Sequence, residues 1–426
     1  MQSSTRPASG LGVDPDDIHD EYERHEFDQL TDAQLFDRSA AVVAIPRQQA
    51  ANSFVLHAPL ELMARRLLLP LVPSRLRRAA RERLVWVAAR YERAGDPLED
   101  TPTEAAYESV EAARRSLLAA LHAADVDGVD VAASQFLTQA TVDQVMALAE
   151  PTIDLLSAAG HAPIGFFLAS RLATTSRSAV TLLRPTLREL ARSPELRVRW
   201  VADAGAPAGG QESLTRALAA TPRLGLPGND FIFPIVHQVD AGGIAPELLR
   251  GVIPADVTAA AAATLRVAAL SMLQDDPAFA AYGWTHCLSL PHAIFEIMPW
   301  LVERHGAAAV AATYVVGFRA AEGDCPVDPY WVPEPTATSP LDSLEAEPAV
   351  AASSWYHASD AALEPALPEL IGHAAIHEDA HVAKYTLACL AAAERDRAQR
   401  SLYLAAAASL AAWWAQRPRT AFRDDL

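Results

Sequence analysis

Lysine is nearly missing from this chain of 426 residues. Its 35 Lys and Arg residues include a single lysine, Lys384, so arginine stands at every other basic position. Arginine stays protonated in proteins, whereas a lysine amine can lose its proton and act as a nucleophile or take up CO2 as a carbamate. The sequence therefore marks Lys384 as a position that needs the chemistry of an amine.

Cysteine is scarce as well, with three widely spaced residues, Cys287, Cys325 and Cys389. An odd number at such spacing makes neither a disulfide framework nor a zinc ribbon, and it indicates a reducing cytoplasm. The N-terminal residues lack a basic region followed by an apolar core, so we expect no signal peptide. The apolar run at 403–414 is too short to cross a bilayer, so we expect no membrane partner.

An excess of positive charge is also absent, since the formal net charge is −18 and the pI is near 5.1. A nucleic-acid partner needs a basic patch, so we expect none. The chain has no Gly-x-Gly-x-x-Gly, no Walker A stretch and no Gly-x-Ser-x-Gly. These absences exclude the common signatures of dinucleotide, phosphate and serine-hydrolase sites.

The alternation of β-branched residues that marks strands is nearly absent, while segments rich in Ala, Leu and Arg with helical spacing alternate with prolines. We therefore predict an all-α protein with a single large helical domain, residues 37–426, in whose core histidines converge from several helices. Residues 1–36 are acidic with little periodicity and are predicted to be a flexible N-terminal arm. Residues 323–360, rich in proline, are predicted to be a loop or a lid over an apolar substrate.

Thr31 and Gln34 have the spacing of a capping box, which predicts a short helix that ends before Pro46. The segment 373–390 is the richest in histidine. At 100° per residue, His373, His377, His381 and Lys384 would fall on one helical face, as metal ligands do, although a polar surface stripe is the alternative.

The same segment contains His377, Glu378 and His381, which match the His-Glu-x-x-His pattern of zinc hydrolases. In that interpretation Glu378 is a general base and the reaction is a zinc-assisted hydrolysis. No downstream residue is well placed as the third ligand.

Two earlier histidines precede prolines in the same way. His57 lies two residues before Pro59, and His161 lies two residues before Pro163. Because proline suits the first turn of a helix, each histidine is predicted at a helix N-terminus. There the helix dipole disfavours imidazolium and keeps the ring neutral and able to bind a metal. A polar N-cap is the alternative for each.

A second pair of segments, 231–254 and 282–303, carries His237 and His286 and suggests an internal repeat of a helical hairpin. His292 lies about 240° from His286 on an ideal helix, so the two could face one centre only if Pro291 breaks the helix. A histidine satisfied by a backbone carbonyl is the alternative for any of these residues.

Imidazole-rich sites suit iron, copper or zinc, and an anionic oxygen such as a carbamate on Lys384 favours iron or zinc. Two other hypotheses remain open. Lys384 could be the Schiff-base amine of a lyase, or the histidines could be structural in a non-catalytic helical binding protein.

The His57 segment, GHAPIGFF, HQVD, WTHCLSLPHA and DAHVAKY together resemble the questin oxidase-like family over residues 40–415. The family consists of helical enzymes linked to the oxidative opening of anthraquinone-type rings in polyketide secondary metabolism. The resemblance implies a non-haem iron centre held by four histidines and a carboxylated lysine. The implied metal ligands are His57, His161, His286, His381 and Lys384. Lys384, His237 and His292 are the implied catalytic residues, with His237 and His292 as alternate ligands or substrate contacts.

The expected activity is that of a cytoplasmic oxidoreductase, an iron-dependent mono- or dioxygenase with Fe(II/III) as cofactor and NADPH as a candidate reductant. Its expected partners are O2 and a small apolar aromatic substrate. On this hypothesis the metal edge of the 373–390 helix is His381 with Lys384, and His373 and His377 lie beside the site or on the surface.

Overall fold

The computed structural model describes residues 10–98, 107–224, 232–324 and 326–417. In the first half of the chain the α-helices are α1 Ile18–Arg24, α2 Asp32–Val43, α3 Ser53–Leu68, α4 Ser74–Glu92, α5 Val110–His122, α6 Val126–Gln139, α7 Val142–Met146, α8 Ala162–Leu172, α9 Ser178–Thr181, α10 Leu183–Leu190 and α11 Gln211–Ala219. In the second half they are α12 Ile232–Ala241, α13 Ile244–Leu249, α14 Val257–Gln274, α15 Thr285–Ile297, α16 Arg304–Glu322, α17 Pro340–Ser343, α18 Pro348–His357, α19 Asp360–Ile376, α20 Ala380–Arg395 and α21 Arg400–Ala415.

The prediction of an all-α protein with a single helical domain is confirmed. Pairing between extended segments is limited, in the described residues, to three isolated bridges, Arg47 with Pro97, Leu155 with Arg197 and Gly209 with Pro254. One hydrophobic core runs from Leu11 to Trp413 and draws on nearly every helix. Alanine, leucine and valine dominate it, which allows the helices to approach closely.

Four helices in this core form a closed cycle. Helix α3 packs against α8 and α20, and α15 packs against the same two helices. We call these four helices the central bundle. Because a bundle of this kind surrounds a common axis, side chains from all four helices can meet at one point.

Local signals in the sequence set where the helices begin. The predicted capping box is present, since the Thr31 hydroxyl accepts a hydrogen bond from the Gln34 amide and the Gln34 side chain accepts one from the Thr31 amide. Helix α2 then ends at Val43, before Pro46 as predicted. Asn52 caps α3 through the Val55 amide at 2.8 Å, which satisfies a donor that the first turn leaves unpaired.

The N-terminal segment differs from the flexible arm that the sequence predicts. Residues 10–36 contain α1 and the start of α2, and Tyr22 and Phe27 are fully buried against α4. Arg81 donates to the Tyr22 hydroxyl and to the backbone carbonyl of Phe27. The aromatic side chains of this acidic segment therefore dock the segment on α4, which is rich in arginine. The first nine residues of the predicted arm lie outside the described residues.

The proline-rich segment 323–360 contains two helices, α17 and α18. Helix α18 packs against α21, and Trp355 is fully buried with its indole N–H donating to the Pro340 carbonyl at 2.9 Å. Tyr330, by contrast, is largely exposed. Cys325 lies outside the described residues, while Cys287 and Cys389 are buried free thiols.

The suggested hairpin repeat is wrong for the described parts of the two segments. One segment forms two short helices, α12 and α13, separated at Gly242 and Gly243, whereas the other contains the single helix α15. Gly243 has a φ of 75°, a left-handed conformation that ends a helix and that glycine adopts easily. The second segment has no glycine at the matching place, so it continues as one helix.

One helix among the described residues, Val257–Gln274, is long and apolar enough to cross a membrane. It is α14, and 61% of that stretch is buried inside the protein, against α11, α15, α16 and α21. The core helices of soluble proteins meet the same criteria.

Candidate metal centre

Each helix of the central bundle delivers one histidine to a common point in the core. The four residues are His57 on α3, His161 at the start of α8, His286 on α15 and His381 on α20. None of the four is more than 8% exposed. The imidazole nitrogens of His57, His286 and His381 lie within 4.8 Å of one another, so these residues alone could hold a metal ion.

The outer nitrogen of each ring, Nδ1, is fixed by a hydrogen-bond acceptor. His57 Nδ1 donates to the Ser53 carbonyl at 2.6 Å, His161 Nδ1 to the Ala158 carbonyl at 3.1 Å, and His286 Nδ1 to the Tyr282 carbonyl. His381 Nδ1 donates to a carboxylate oxygen of Asp379 at 2.8 Å. A carbonyl can only accept, so the first three rings must carry their proton on Nδ1.

The inner nitrogens, Nε2, then carry no proton, and their lone pairs face one another. His161 Nε2 lies 3.1 Å from His57 Nε2 and 3.2 Å from His286 Nε2. With metal–nitrogen bonds of about 2.0–2.1 Å, neighbouring ligand nitrogens around one ion lie about 3–3.4 Å apart. Neutral rings with occupied Nδ1 positions have no proton to share across these gaps, so a bound cation fits the geometry.

Burial keeps these rings neutral. The pKa values of His57, His161, His286 and His381 are all lowered well below 6.5, first because burial disfavours the charged form and then because the other charged groups of the cluster repel it. Neutral imidazole is the form that binds a metal.

Lys384 also lies on α20, three residues after His381. Its Nζ is buried without a hydrogen-bond partner, and so is Nε2 of His381. Burial lowers the pKa of Lys384 to about 7, an effect that the carboxylates of Asp379 and Glu61 partly offset. The charge of Lys384 in turn lowers the pKa of all four histidines. Both nitrogens are therefore free to act as metal ligands, together with the clustered rings of His57 and His286.

The backbone before His161 is strained. Ala158, Ala159 and Gly160 all have positive φ values, of 52°, 50° and 68°. A left-handed conformation costs a non-glycine residue about 1–2 kcal/mol. A side chain at Gly160 would also lie 2.4 Å from the Tyr314 hydroxyl. This turn presents the Ala158 carbonyl to His161 and so orients the ring.

The prediction that proline puts both early histidines at helix starts is right for His161, which lies at the N-terminal boundary of α8 with Pro163 in the first turn. It is wrong for His57, because α3 begins at Ser53 and Pro59 lies inside it. Asn52 is the stronger start signal, and His57 reaches the centre from the second turn.

The predicted stripe of His373, His377, His381 and Lys384 on one helix is also wrong. Helix α19 ends at Ile376 and α20 begins at Ala380, so a break at His377 separates the two halves. The ring of His377 lies 5.2 Å from that of His373 and 4.9 Å from that of Trp414, measured between ring centroids. The zinc-hydrolase pattern needs both histidines on one helix, so the break removes its geometry.

In the part of the chain that the structure describes, neither alternate histidine shares a hydrogen bond or a ring contact with the four clustered histidines. His237 is half-buried on α12, which packs against α13, α16 and the turn Ala158–Gly160 before His161. His292 stays on α15, because Pro291 does not break the helix, and its ring lies 5.0 Å from that of Phe167. Helix α15 therefore turns His292 away from His286.

Residues that the sequence did not single out support the ligands. Asp379 caps α20 through the His381 amide at 2.7 Å and also holds the His381 ring. An aspartate just before a helical run is a capping signal, so the sequence contained this clue. Glu61 follows His57 by one helical turn and binds Arg65 and Arg83, which in turn hold backbone carbonyls of His377 and Glu378. The spacing of Glu61 and Arg65, four residues apart, is a local signal of a helical ion pair, whereas the contacts with Arg83, His377 and Glu378 depend on the tertiary structure.

His292 predicts an acid-sensitive stability. Burial lowers its pKa to about 4, with the carboxylate of Glu296 opposing the shift. The unfolded chain binds this proton near pH 6.5 and the folded protein does not, so stability is lost as the pH falls from 6.5 towards 4. We expect His292 to contribute on the order of 3 kcal/mol to this loss.

Urea unfolding at pH 7 and pH 4.5 in a chelator measures this effect. The His292→Leu variant, similar in volume, should lose less stability between the two pH values than the wild type. An equal loss in both proteins would contradict the assignment.

Comparisons of the chain with models of known protein families, with curated proteins and with solved structures find no match. The resemblance to the questin oxidase-like family therefore stays a prediction from the residues quoted above.

Proposed function

We propose that this protein is an iron-dependent oxygenase whose metal is held by His57, His161, His286, His381 and Lys384. The observation that carries the proposal is the convergence of inner ring nitrogens 3.1–3.2 Å apart with their outer nitrogens already bonded. Buried polar groups that serve only stability are mostly paired with hydrogen-bond partners, whereas these inner nitrogens face one another without a proton to share. A cluster of neutral lone pairs is useful only around a cation.

Iron bound in this donor set would supply the redox chemistry that activates O2. The four imidazoles would hold it, and their bonds to three carbonyls and to Asp379 would fix the ring orientations. Lys384 would add a fifth donor, either as the amine or as a carbamate formed when Nζ bonds to CO2 and releases a proton. The surrounding core would exclude bulk water.

The substrate class rests on the sequence resemblance. An apolar polycyclic aromatic compound of the anthraquinone type would bind beside the centre, where aromatic rings already line the histidines. Phe318 lies nearly parallel to His286 with 6.4 Å between ring centroids, and the Tyr282 ring meets His381 edge-on at 5.0 Å. The flat rings of such a substrate would pack against these aromatic side chains.

Anaerobic purification followed by metal analysis tests the proposal. After incubation with Fe(II) and removal of excess metal, we expect about one iron per chain and O2 uptake that depends on a hydroxylated polycyclic quinone. The His122→Asn variant, which changes an exposed histidine on α5 whose Nδ1 bonds to the Leu118 carbonyl, is the control and should behave like the wild type. Iron-free protein after this treatment would overturn the proposal, as would bound zinc without O2 uptake.

A further inference from the structure

Among the residues that the structure describes, Tyr282 alone serves two histidines of the cluster, one through its backbone and one through its side chain. Its carbonyl accepts the hydrogen bond from His286 Nδ1. Its hydroxyl donates to the second carboxylate oxygen of Asp379 at 3.3 Å, while the first oxygen of that carboxylate accepts from His381 Nδ1 at 2.8 Å. Its ring meets the His381 ring edge-on. Tyr282 thus links helices α15 and α20 around the centre.

The backbone at Tyr282 is unusual. Residues Ala280–Trp284 form a π-helical turn that runs directly into α15. Turns of this kind insert a residue into a helix and occur frequently at functional sites, because they redirect carbonyls and side chains that a regular helix would constrain. Tyr282 lies within this turn, where its carbonyl faces His286 and its hydroxyl faces Asp379 before α20.

The bond from Tyr282 to Asp379 acts on His381 through the carboxylate. A carboxylate that accepts a strong bond from Nδ1–H makes the imidazole a better electron donor at Nε2. The Tyr282 hydroxyl competes for the same carboxylate and moderates that effect. Tyr282 is half-buried, and the Asp379 side chain is itself 15% exposed.

We infer that Tyr282 is a positioning residue of the metal centre, which orients His286 through its carbonyl and tunes the donor strength of His381 through Asp379. This inference rests on the proposed function. Tyr282 thereby controls the metal affinity and the ratio of Fe(III) affinity to Fe(II) affinity without contacting the metal itself.

Two variants separate the parts of this role. Tyr282→Phe keeps the ring and the carbonyl but removes the hydroxyl, so Asp379 should bind His381 more strongly and favour Fe(III). We expect the reduction potential to fall by up to about 59 mV. For a one-electron couple this corresponds to a tenfold change in the ratio of the Fe(III) affinity to the Fe(II) affinity. Tyr282→Leu also removes the ring from His381, and we expect the metal affinity to fall by about 10-fold or more.

The matched control is Tyr330→Phe. Tyr330 also donates to a carboxylate, that of Glu212, but on the exposed proline-rich segment. Its removal should leave the potential and the affinity unchanged. If the Tyr282 variants bind iron with wild-type affinity and potential and lose only stability, the residue is structural and the inference is overturned.

A measurement in metal-free protein separates this inference from the proposed function. In spectra of protein with 15N-labelled histidine, Tyr282→Phe should move the His381 Nδ1–H proton downfield, because its bond to Asp379 strengthens, while His57 stays in place. An unmoved His381 resonance would overturn the link through Asp379. If Tyr282→Phe shifts the His381 resonance but the wild type binds no iron, only the proposed function is refuted.

Discussion

The His161→Leu variant is expected to lose tight metal binding while its metal-free form stays at least as stable as the wild type. His161 Nε2 lies between those of His57 and His286, at 3.1 and 3.2 Å. Substitutions of residues that only support metal ligands typically cost 10–100-fold in affinity, so we expect a loss of more than about 100-fold for a ligand. In the metal-free protein the same change removes two contacts between lone pairs.

Competition with a chromophoric chelator measures the affinity, and urea unfolding in EDTA measures the stability. His292→Leu is the matched control, since His292 is equally buried but outside the cluster, and it should keep wild-type metal affinity at pH 7. Wild-type affinity in His161→Leu would refute the four-histidine centre. A large loss of metal-free stability would show that the cluster serves packing.

The Glu61→Leu variant is expected to destabilise the protein by about 3–5 kcal/mol. One carboxylate oxygen of Glu61 binds both Arg65, at 2.7 Å, and Arg83, at 3.0 Å, and the glutamate and both arginines are buried. Removing one member of a buried ion pair leaves uncompensated charge, which is the costly case. Arg65 and Arg83 also hold the carbonyls of the turn before Asp379, so the metal affinity should fall with the stability.

The control is Glu369→Gln, which breaks an exposed ion pair with Arg75 and should cost less than about 1 kcal/mol. Replacing Glu61, Arg65 and Arg83 together by Leu, Met and Met should recover part of the loss, because no buried charge is then left alone. Urea unfolding of Glu61→Leu, of Glu369→Gln and of the triple variant, each compared with the wild type, measures these losses of stability. A loss below 1 kcal/mol in Glu61→Leu would contradict the assigned role of this network.

Fold class was predictable because it depends on local properties. The Thr31 capping box, the helical spacing of alanine and leucine and the scarcity of β-branched alternation act over a few residues. Errors arose where two local signals competed. Pro59 indicated a helix start, but Asn52 caps the helix earlier, and the aromatic residues at 22 and 27 dock a segment whose average composition is polar.

The sequence also identified His57, His161, His286, His381 and Lys384 as a set, from short motifs that resemble a family and from the rarity of lysine. What it could not provide was their geometry. Whether His286 or His292 faces the centre depends on Pro291 leaving α15 unbroken, and whether His377 joins His381 depends on the break between α19 and α20.

By itself, then, the sequence determined that the protein is helical and which side chains can carry the chemistry, since both follow from residue type and short-range spacing. The tertiary structure alone decided which histidines meet. Residues as far apart as His57 and His381 lie close only because four helices close into one bundle. It also decided part of what supports them, because Glu61 binds Arg83 and Tyr282 binds Asp379 across helices that local spacing cannot relate.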